Sequence, residues 1–293
     1  MKFKNYNMRF TILKRLLSNC TLCVLLCILF FSCGNSENDS SSDGKNTGRT
    51  ADTSKEMKVY LLPSPLQIAS AMNLAGIKYT PTIFEKTEKT TADYQVSYLK
   101  ALNLGIYSID MGYSTVYSDH YTASKYASRI QSLMDELGIK SLMKSTTIES
   151  LQRNQNNNDS LYKIILDSYS HAHEYFKSNE REDVGLMILT GAFIEGLYIS
   201  SSLAKEKRSD DMMRLIGIQK IFLTNIIELL KKYADQKDIK TILTKMDALN
   251  KTYSTIDVHY DSVKDKLVGT SISSETLNQI CMNTGVIRNE IIN

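Results

Sequence analysis

The feature that most constrains this chain is the helical spacing of its apolar residues in a segment without proline. All three prolines lie at or before Pro81, so no later residue interrupts a helix by lacking a backbone N–H. Beyond that point apolar residues recur at spacings of three and four, which place them on one face of a helix. Alternation of apolar and polar residues never extends beyond four or five residues. The sequence therefore predicts an all-α fold.

The pattern predicts about eight helices, which would pack as an antiparallel bundle or as a short α-solenoid of helical hairpins. Thr90 and Thr146 are each followed three residues later by an acid, the spacing of a capping box at a helix start. A helix is predicted from Pro65 to about Gly76, and another carries the apolar stripe from Leu99 to Val116. The later predicted helices span 123–137, 160–177, 180–205, 210–234, 237–267 and 274–291.

The predicted helix at 237–267 has the most regular pattern, with apolar residues from Ile242 to Leu267 alternating spacings of four and three. This is typical of a coiled-coil seam. The seam could join two copies of the chain, or it could dock in a groove within one copy. Two of its members are tyrosines and the flanking charges follow no pairing rule, which favours the intramolecular interpretation for 242–267.

Residues 1–32 combine a basic beginning with an apolar end. They contain five basic residues and no acid, and residues 21–31 carry no charge. This order is typical of a secretory signal, and the apolar run is shorter than the about 20 residues of a membrane-spanning helix. An uncleaved signal anchor is the alternative. Cys20, Cys23 and Cys27 lie within residues 1–32, where they fit small hydrophobic residues better than a zinc site.

The sequence FFSC, residues 30–33, resembles the lipobox of bacterial lipoproteins, in which small residues precede a cysteine. Ser32 fits this pattern, whereas Phe30 stands where Leu is commoner. The resemblance implies that Cys33 becomes the lipidated first residue of the mature chain, with a diacylglyceryl group on sulfur and an acyl chain such as palmitate on its amine. It also implies a protein anchored in the cell envelope, with the outer membrane as the expected location.

Residues 33–56 are predicted to be the lipidated cysteine and a flexible tether, followed by a single helical domain at 57–293. Residues 34–56 contain no large apolar side chain, so they cannot bury enough area to offset the entropy of ordering the chain. Their scattered acids weakly resemble the acidic export signal of Bacteroidota surface lipoproteins, although a plain solvated linker explains them equally well.

The charge of the chain gives no support to a nucleic-acid partner. The full sequence has a formal charge of +3, but without residues 1–32 it has 30 basic and 32 acidic residues, a net charge of −2. No dense basic run remains elsewhere. The charge thus leaves two expected partners. They are the membrane, through the lipid that the lipobox resemblance implies at Cys33, and a protein or glycan.

Two predicted helical segments, 102–117 and 186–201, contain glycines within apolar runs. Glycine inside a helix costs about 1 kcal/mol relative to alanine, so its presence suggests that helix backbones approach closely at these positions. The glycines are Gly105, Gly112, Gly191 and Gly196.

The same segments each carry one acid, Asp110 and Glu195, which we expect to be buried near this crowded centre. They could form a ligand-binding or proton-handling pocket with nearby tyrosines. They could instead be structural, each bonded to a tyrosine hydroxyl, a backbone amide or an arginine such as Arg129 or Arg214. The candidate tyrosines are Tyr107, Tyr113 and Tyr198.

An offset of 85 residues aligns Asp110 with Glu195, Tyr113 with Tyr198 and other pairs. This loosely resembles a duplicated hairpin of the tetratricopeptide type, without the signature residues of that repeat. The Gly-acid-Tyr pattern followed by "DELGI" also resembles helical envelope lipoproteins of Bacteroidota over most of residues 90–200. That resemblance implies no particular activity.

Motifs for metal, nucleotide or serine-hydrolase chemistry are missing from the sequence, so we predict no metal site and no cofactor. His171 and His173 are two residues apart and cannot share a metal as an i, i+4 pair would. Cys281 is predicted to be a buried packing residue. These observations favour a non-enzymatic interaction scaffold, with a ligand-binding or catalytic pocket around Asp110 and Glu195 as the alternative.

Overall fold

The computed structural model describes residues 78–81, 97–142, 174–261, 266–269 and 272–293. Within these ranges the chain forms six long α-helices, one 3-10 turn at Lys140–Leu142 and one short β-hairpin, which confirms the predicted all-α class. The helices are α1 (Ser97–Val116), α2 (His120–Glu136), α3 (Glu182–Glu206), α4 (Asp210–Lys231), α5 (Lys237–Thr252) and α6 (Ser274–Ile292).

Helices α1 and α2 form an antiparallel hairpin. Lys100 Nζ lies 2.8 Å from Glu136 Oε2 at its open end, and the rings of Tyr107 and Tyr126 lie 5.6 Å apart nearer the turn. At the turn itself the Asp119 side chain caps α2 by accepting a hydrogen bond from the Thr122 N–H at 3.0 Å. The cap satisfies one of the amides that have no partner in the first turn of a helix.

Helices α1 and α3 cross in direct backbone contact. A Cβ added to Gly105 would lie 2.6 Å from the Ala192 nitrogen and closer still to the Ile188 carbonyl oxygen. A Cβ added to Gly191 would lie 2.7 Å from the Leu102 carbonyl carbon. Real Cβ atoms do not approach backbone so closely, so the crossing confirms the close approach that these two glycines predict.

Helix α6 runs antiparallel to α5 and ends against α1. Asn283 Nδ2 donates to Thr252 Oγ1 at 2.9 Å, and the Lys245 ammonium pairs with the Glu290 carboxylate about two helical turns further along. The buried side chain of Asn103 on α1 donates to the Ile291 carbonyl at 3.0 Å. This bond satisfies a carbonyl in the last turn of α6 that has no partner within its own helix.

The predicted helix at 237–267 is wrong beyond Thr252, where α5 ends. Residues 258–261 form β1 and pair antiparallel with β2 at 266–269, in a register that places Val258 opposite Gly269. After Thr252 the chain is rich in Ser, Asp and β-branched residues, which have weak helix propensity, and the β-branched and aromatic ones suit a strand. The heptad spacing beyond that point does not reflect a helix.

The burial of two seam residues explains how the apolar spacing persists past the helix end. Tyr253 is fully buried and its hydroxyl donates to the Ile216 carbonyl on α4 at 3.3 Å. Ile256 is also buried, and its carbonyl accepts a hydrogen bond from the Lys220 ammonium. Tyr253 therefore contacts α4 through its hydroxyl and Ile256 through its carbonyl, both beyond the end of α5. Helix α5 itself contributes the buried seam residues Ile242, Met246 and Leu249.

The remaining predicted elements agree with the structure where it describes them. The predicted helices 180–205, 210–234 and 274–291 correspond to α3, α4 and α6 within a few residues. Of the predicted helix at 160–177, residues 174–178 are described and helical. The predicted signal, Cys33, the tether, the helix at 65–76 and the two capping boxes at Thr90 and Thr146 lie outside the described residues.

Helix α3 has the length and composition of a membrane-spanning helix, and it is the only such helix in the part of the chain that the structure describes. Of its most apolar 18-residue window, 78% is buried inside the fold. Its neighbours are α1, α4 and α6. Apolar composition on all sides is what a helix surrounded by other helices requires, so α3 is the central core helix.

We expect Gly105→Ala and Gly191→Ala each to destabilise the protein by about 1–3 kcal/mol, because the added methyl group forces α1 and α3 apart. Gly285→Ala in α6 is the matched control. Its Cβ would lie 3.4 Å from the nearest Tyr198 ring carbon, an ordinary contact, so it should gain up to about 1 kcal/mol from helix propensity. Urea denaturation of the three variants measures this, and equal effects at all three positions would contradict the backbone contact.

Candidate functional site

The two acids predicted from the sequence lie in the core. Asp110 on α1 is 1% exposed and Glu195 on α3 is 0% exposed, which confirms that both are buried. Each acid follows its crossing glycine by about one helical turn: Asp110 is five residues after Gly105, and Glu195 four residues after Gly191. The glycine crossing therefore sets how closely these two side chains approach.

The arginine that pairs with the acids is Arg288 of α6, and neither Arg129 nor Arg214 takes this role. Arg288 Nε donates to Glu195 Oε2 at 2.5 Å, and the guanidinium is itself buried. Arg214 is exposed on α4, and Arg129 Cζ lies 5.6 Å from the centre of the Tyr107 ring on α1. Glu195 thus forms a charge-assisted hydrogen bond inside the core.

Arg288 is the site residue that the sequence analysis missed. It is 93 positions from its partner, and it lies in a helix whose sequence gives no direct indication of that pairing. One signal was present: Arg288 stands four residues after Thr284 and three before Ile291, so it lies on the buried face of α6. A cation on a buried helix face predicts a buried acid as its partner, because an unpaired charge in a core is costly.

Two groups in this site, Asp110 and Arg288, have a pKa raised above the ordinary value by the balance of burial and neighbouring charges. Burial raises the pKa of Asp110 well above its ordinary value, and the neighbouring Glu195 charge adds to the increase, while Arg288 opposes it. Burial would lower the pKa of Arg288, but the charges of Glu195 and Asp110 outweigh that effect and raise it. The site therefore favours a neutral Asp110 beside an ionised Glu195–Arg288 pair.

Tyr126 on α2 is the tyrosine that joins the acids. It is buried, and it lies close enough to Asp110 to influence the pKa of that acid. Burial raises its pKa, and the nearby Asp110 and Glu195 charges raise it further, so Tyr126 is a neutral phenol. The sequence analysis did not select it, although it belongs to the buried apolar stripe of α2.

The three predicted tyrosines have different places. Tyr198 is half-buried and its ring lies 4.7 Å from Arg288 Cζ, a cation–π contact at the edge of the site. Tyr107 packs beside Tyr126. Tyr113 lies in a separate aromatic cluster with Tyr79 and Tyr117, where its hydroxyl accepts a hydrogen bond from the Thr80 N–H at 3.3 Å.

Cys281 and the described histidines lie away from the acids. Cys281 is only partly buried, which corrects the prediction of a buried residue, and its sulfur lies 3.4 Å from Ser202 Oγ on α3. His120 begins α2 and His259 is exposed on β1, while His171 and His173 lie outside the described residues. Among the described residues no three His, Cys, Asp or Glu side chains form a group able to hold a metal ion.

The arrangement is best described as a neutral acid, an ion pair and a phenol joining four helices. We call Asp110, Glu195 and Arg288 the buried triad. Its members come from α1, α3 and α6, and Tyr126 adds α2. Comparison with known proteins gives no further guidance, since no family model, curated protein or solved structure matches the chain.

The two acids should respond differently to replacement by their amides. We expect Glu195→Gln to destabilise the protein by about 3–5 kcal/mol, because it removes the carboxylate that forms the buried ion pair with Arg288. Asp110→Asn should cost at most about 1 kcal/mol near neutral pH, because an amide resembles the neutral carboxyl that the site favours. Urea denaturation at pH 7 measures both.

Glu136→Gln is the matched control, since it breaks the partly exposed Lys100–Glu136 pair on the surface of the first hairpin. We expect it to cost at most about 1 kcal/mol, as is usual for surface pairs. Similar losses for Glu195→Gln and Asp110→Asn would contradict the assignment of the charge to Glu195 and the proton to Asp110.

Proposed function

We propose that this protein is a lipid-anchored helical scaffold of the bacterial cell envelope, held to a membrane through Cys33 and presenting its folded helices to a protein or glycan partner. The N-terminal basic and apolar segment, the FFSC sequence and the polar residues 34–56 support the anchor and the tether. A lipid anchor followed by a polar tether would hold the folded part at a distance from the membrane surface.

The observation that carries the scaffold interpretation is the closure of the buried triad. Asp110, Glu195 and Arg288 are each at most 5% exposed. A general acid or base must reach its substrate within hydrogen-bonding distance. These side chains instead contact one another across three helices, so their chemistry serves the packing of the fold.

The alternative, a ligand pocket around Asp110 and Glu195, has one observation in its favour. Asp110 Oδ1 and Glu195 Oε1 are buried and accept no hydrogen bond from an N–H or hydroxyl donor. A small polar ligand could supply such donors. The ion pair to Arg288 and the burial of both acids weigh against this alternative, because a ligand would have to separate packed helices to reach them.

Replacement of the lipidated cysteine tests the anchor. In cells grown with labelled palmitate, we expect the wild-type chain and Cys281→Ala to carry label and to partition with membranes. Cys33→Ala should lose both properties, because alanine has no sulfur to carry the diacylglyceryl group, and acylation of the residue's amine depends on that first lipid. A Cys33→Ala protein that still carries palmitate after signal cleavage would contradict the proposed anchor.

Thermal melts in the presence of small polar compounds separate the scaffold from the pocket. We expect no compound to raise the melting temperature of the wild-type chain selectively over Asp110→Asn and Glu195→Gln. A compound that stabilises the wild-type chain and neither variant would identify a ligand site at the acids. That result would replace the scaffold interpretation with the pocket.

A further inference from the structure

The charges of the buried triad do not balance if every member is ionised. Asp110 is 1% exposed, Glu195 0% and Arg288 5%. An arginine keeps its proton in proteins, so two carboxylates would face one cation and leave a net charge of −1 in the core. An uncompensated charge in such a position is strongly unfavourable. One positive charge is therefore missing from this count.

The hydrogen bonds show the same deficit. Glu195 Oε2 accepts from Arg288, but Asp110 Oδ1 and Glu195 Oε1 receive no N–H or hydroxyl donor. The two carboxyls are hydrogen-bond neighbours of each other. A proton on the Asp110 carboxyl would provide a donor between the two acids and cancel the extra charge. One added proton thus balances the charge of the triad and supplies the missing hydrogen-bond donor.

The groups that face Asp110 from the packed helices do not supply the missing positive charge. On α2, Tyr126 is a neutral neighbour of Asp110. Arg129 lies with its guanidinium over the Tyr107 ring of α1, and its Nη1 is buried there without a hydrogen-bond acceptor. On α3, Tyr198 stands beside Arg288. On α6, Arg288 is the cation that acts on Asp110, and it is already bonded to Glu195.

We propose that the buried triad binds one proton as part of the folded structure, and that the contact among α1, α3 and α6 loosens when this proton is lost. The proposal goes beyond the scaffold function, which requires no proton. It makes the packing of the helices responsive to pH, with the fold held together most firmly while Asp110 keeps its proton.

The direction of the pH effect follows from the raised pKa of Asp110, which is due to burial and then to the charge of Glu195. The unfolded chain releases the Asp110 proton near its ordinary pKa, whereas the folded chain holds it to higher pH. The stabilisation is therefore fully present below the unfolded pKa and is lost as pH rises through the folded pKa. A rise in pH above the ordinary pKa of an aspartic acid should therefore weaken the fold.

Urea denaturation of the full chain across about pH 5 to 9 tests the proposal, with D110N as the matched control because its amide cannot release a proton. Relative to D110N, the folding equilibrium constant of the wild-type chain should fall by up to tenfold for each pH unit. Exchange of the buried α6 amides should become faster in the wild-type chain than in D110N at the alkaline end. Identical pH dependence of the two proteins would overturn the proposal.

A second measurement does not use D110N and so remains decisive if that variant fails to fold. Refolding in weakly buffered solution, at a pH above the ordinary pKa of an aspartic acid and below that at which the wild-type chain weakens, should take up one proton per molecule. The folded protein should then show the infrared C=O stretch of a protonated carboxyl. R129Q should leave the uptake unchanged. No uptake, or an uptake that changes in R129Q, would show that Asp110 is ionised or that Arg129 supplies its counter-charge.

Discussion

Gly105 and Gly191 allow α1 and α3 to approach until the backbone atoms of one helix contact those of the other. Helices with larger side chains at their crossing are held about 8–10 Å apart, so two glycines facing each other permit a closer packing than usual. The cost is the low helix propensity of glycine, about 1 kcal/mol per residue. Burial of the surrounding apolar side chains, such as Leu102, Ile188 and Ala192, offsets that cost.

The position of the acids depends on this crossing. Asp110 and Glu195 each lie about one turn beyond a crossing glycine, so helices that approach closely also bring two carboxyls into mutual contact. The core then requires a cation, which α6 provides through Arg288, and a proton, which we assign to Asp110. Close packing of the backbone and the charge balance of the core are thus consequences of the same pair of glycines.

The buried triad also explains how α6 is fixed in place. Two residues of α6 contact α3: Arg288 pairs with Glu195, and the Cys281 sulfur lies near the Ser202 hydroxyl. At the end of α6, the Asn103 side chain of α1 donates to the Ile291 carbonyl. Buried polar contacts of this kind add little net stability compared with apolar packing of the same volume. They do restrict the alternatives, because a shift of α6 along α3 would leave both a guanidinium and a carboxylate unpaired.

The sequence by itself determined the helical class, the bounds of α3, α4 and α6, the close approach at Gly105 and Gly191, and the burial of Asp110 and Glu195. These follow from local spacing and from the cost of glycine and of charge in an apolar run, which are properties of neighbouring residues. Only the tertiary structure decided that Arg288 is the partner, that Tyr126 replaces Tyr113 near the acids, and that the seam at 242–267 ends at Thr252. The partner and the tyrosine join distant segments of the chain. The end of the seam depends on Tyr253 and Ile256 packing on α4 from a turn, a contact that local spacing cannot distinguish from a continued helix.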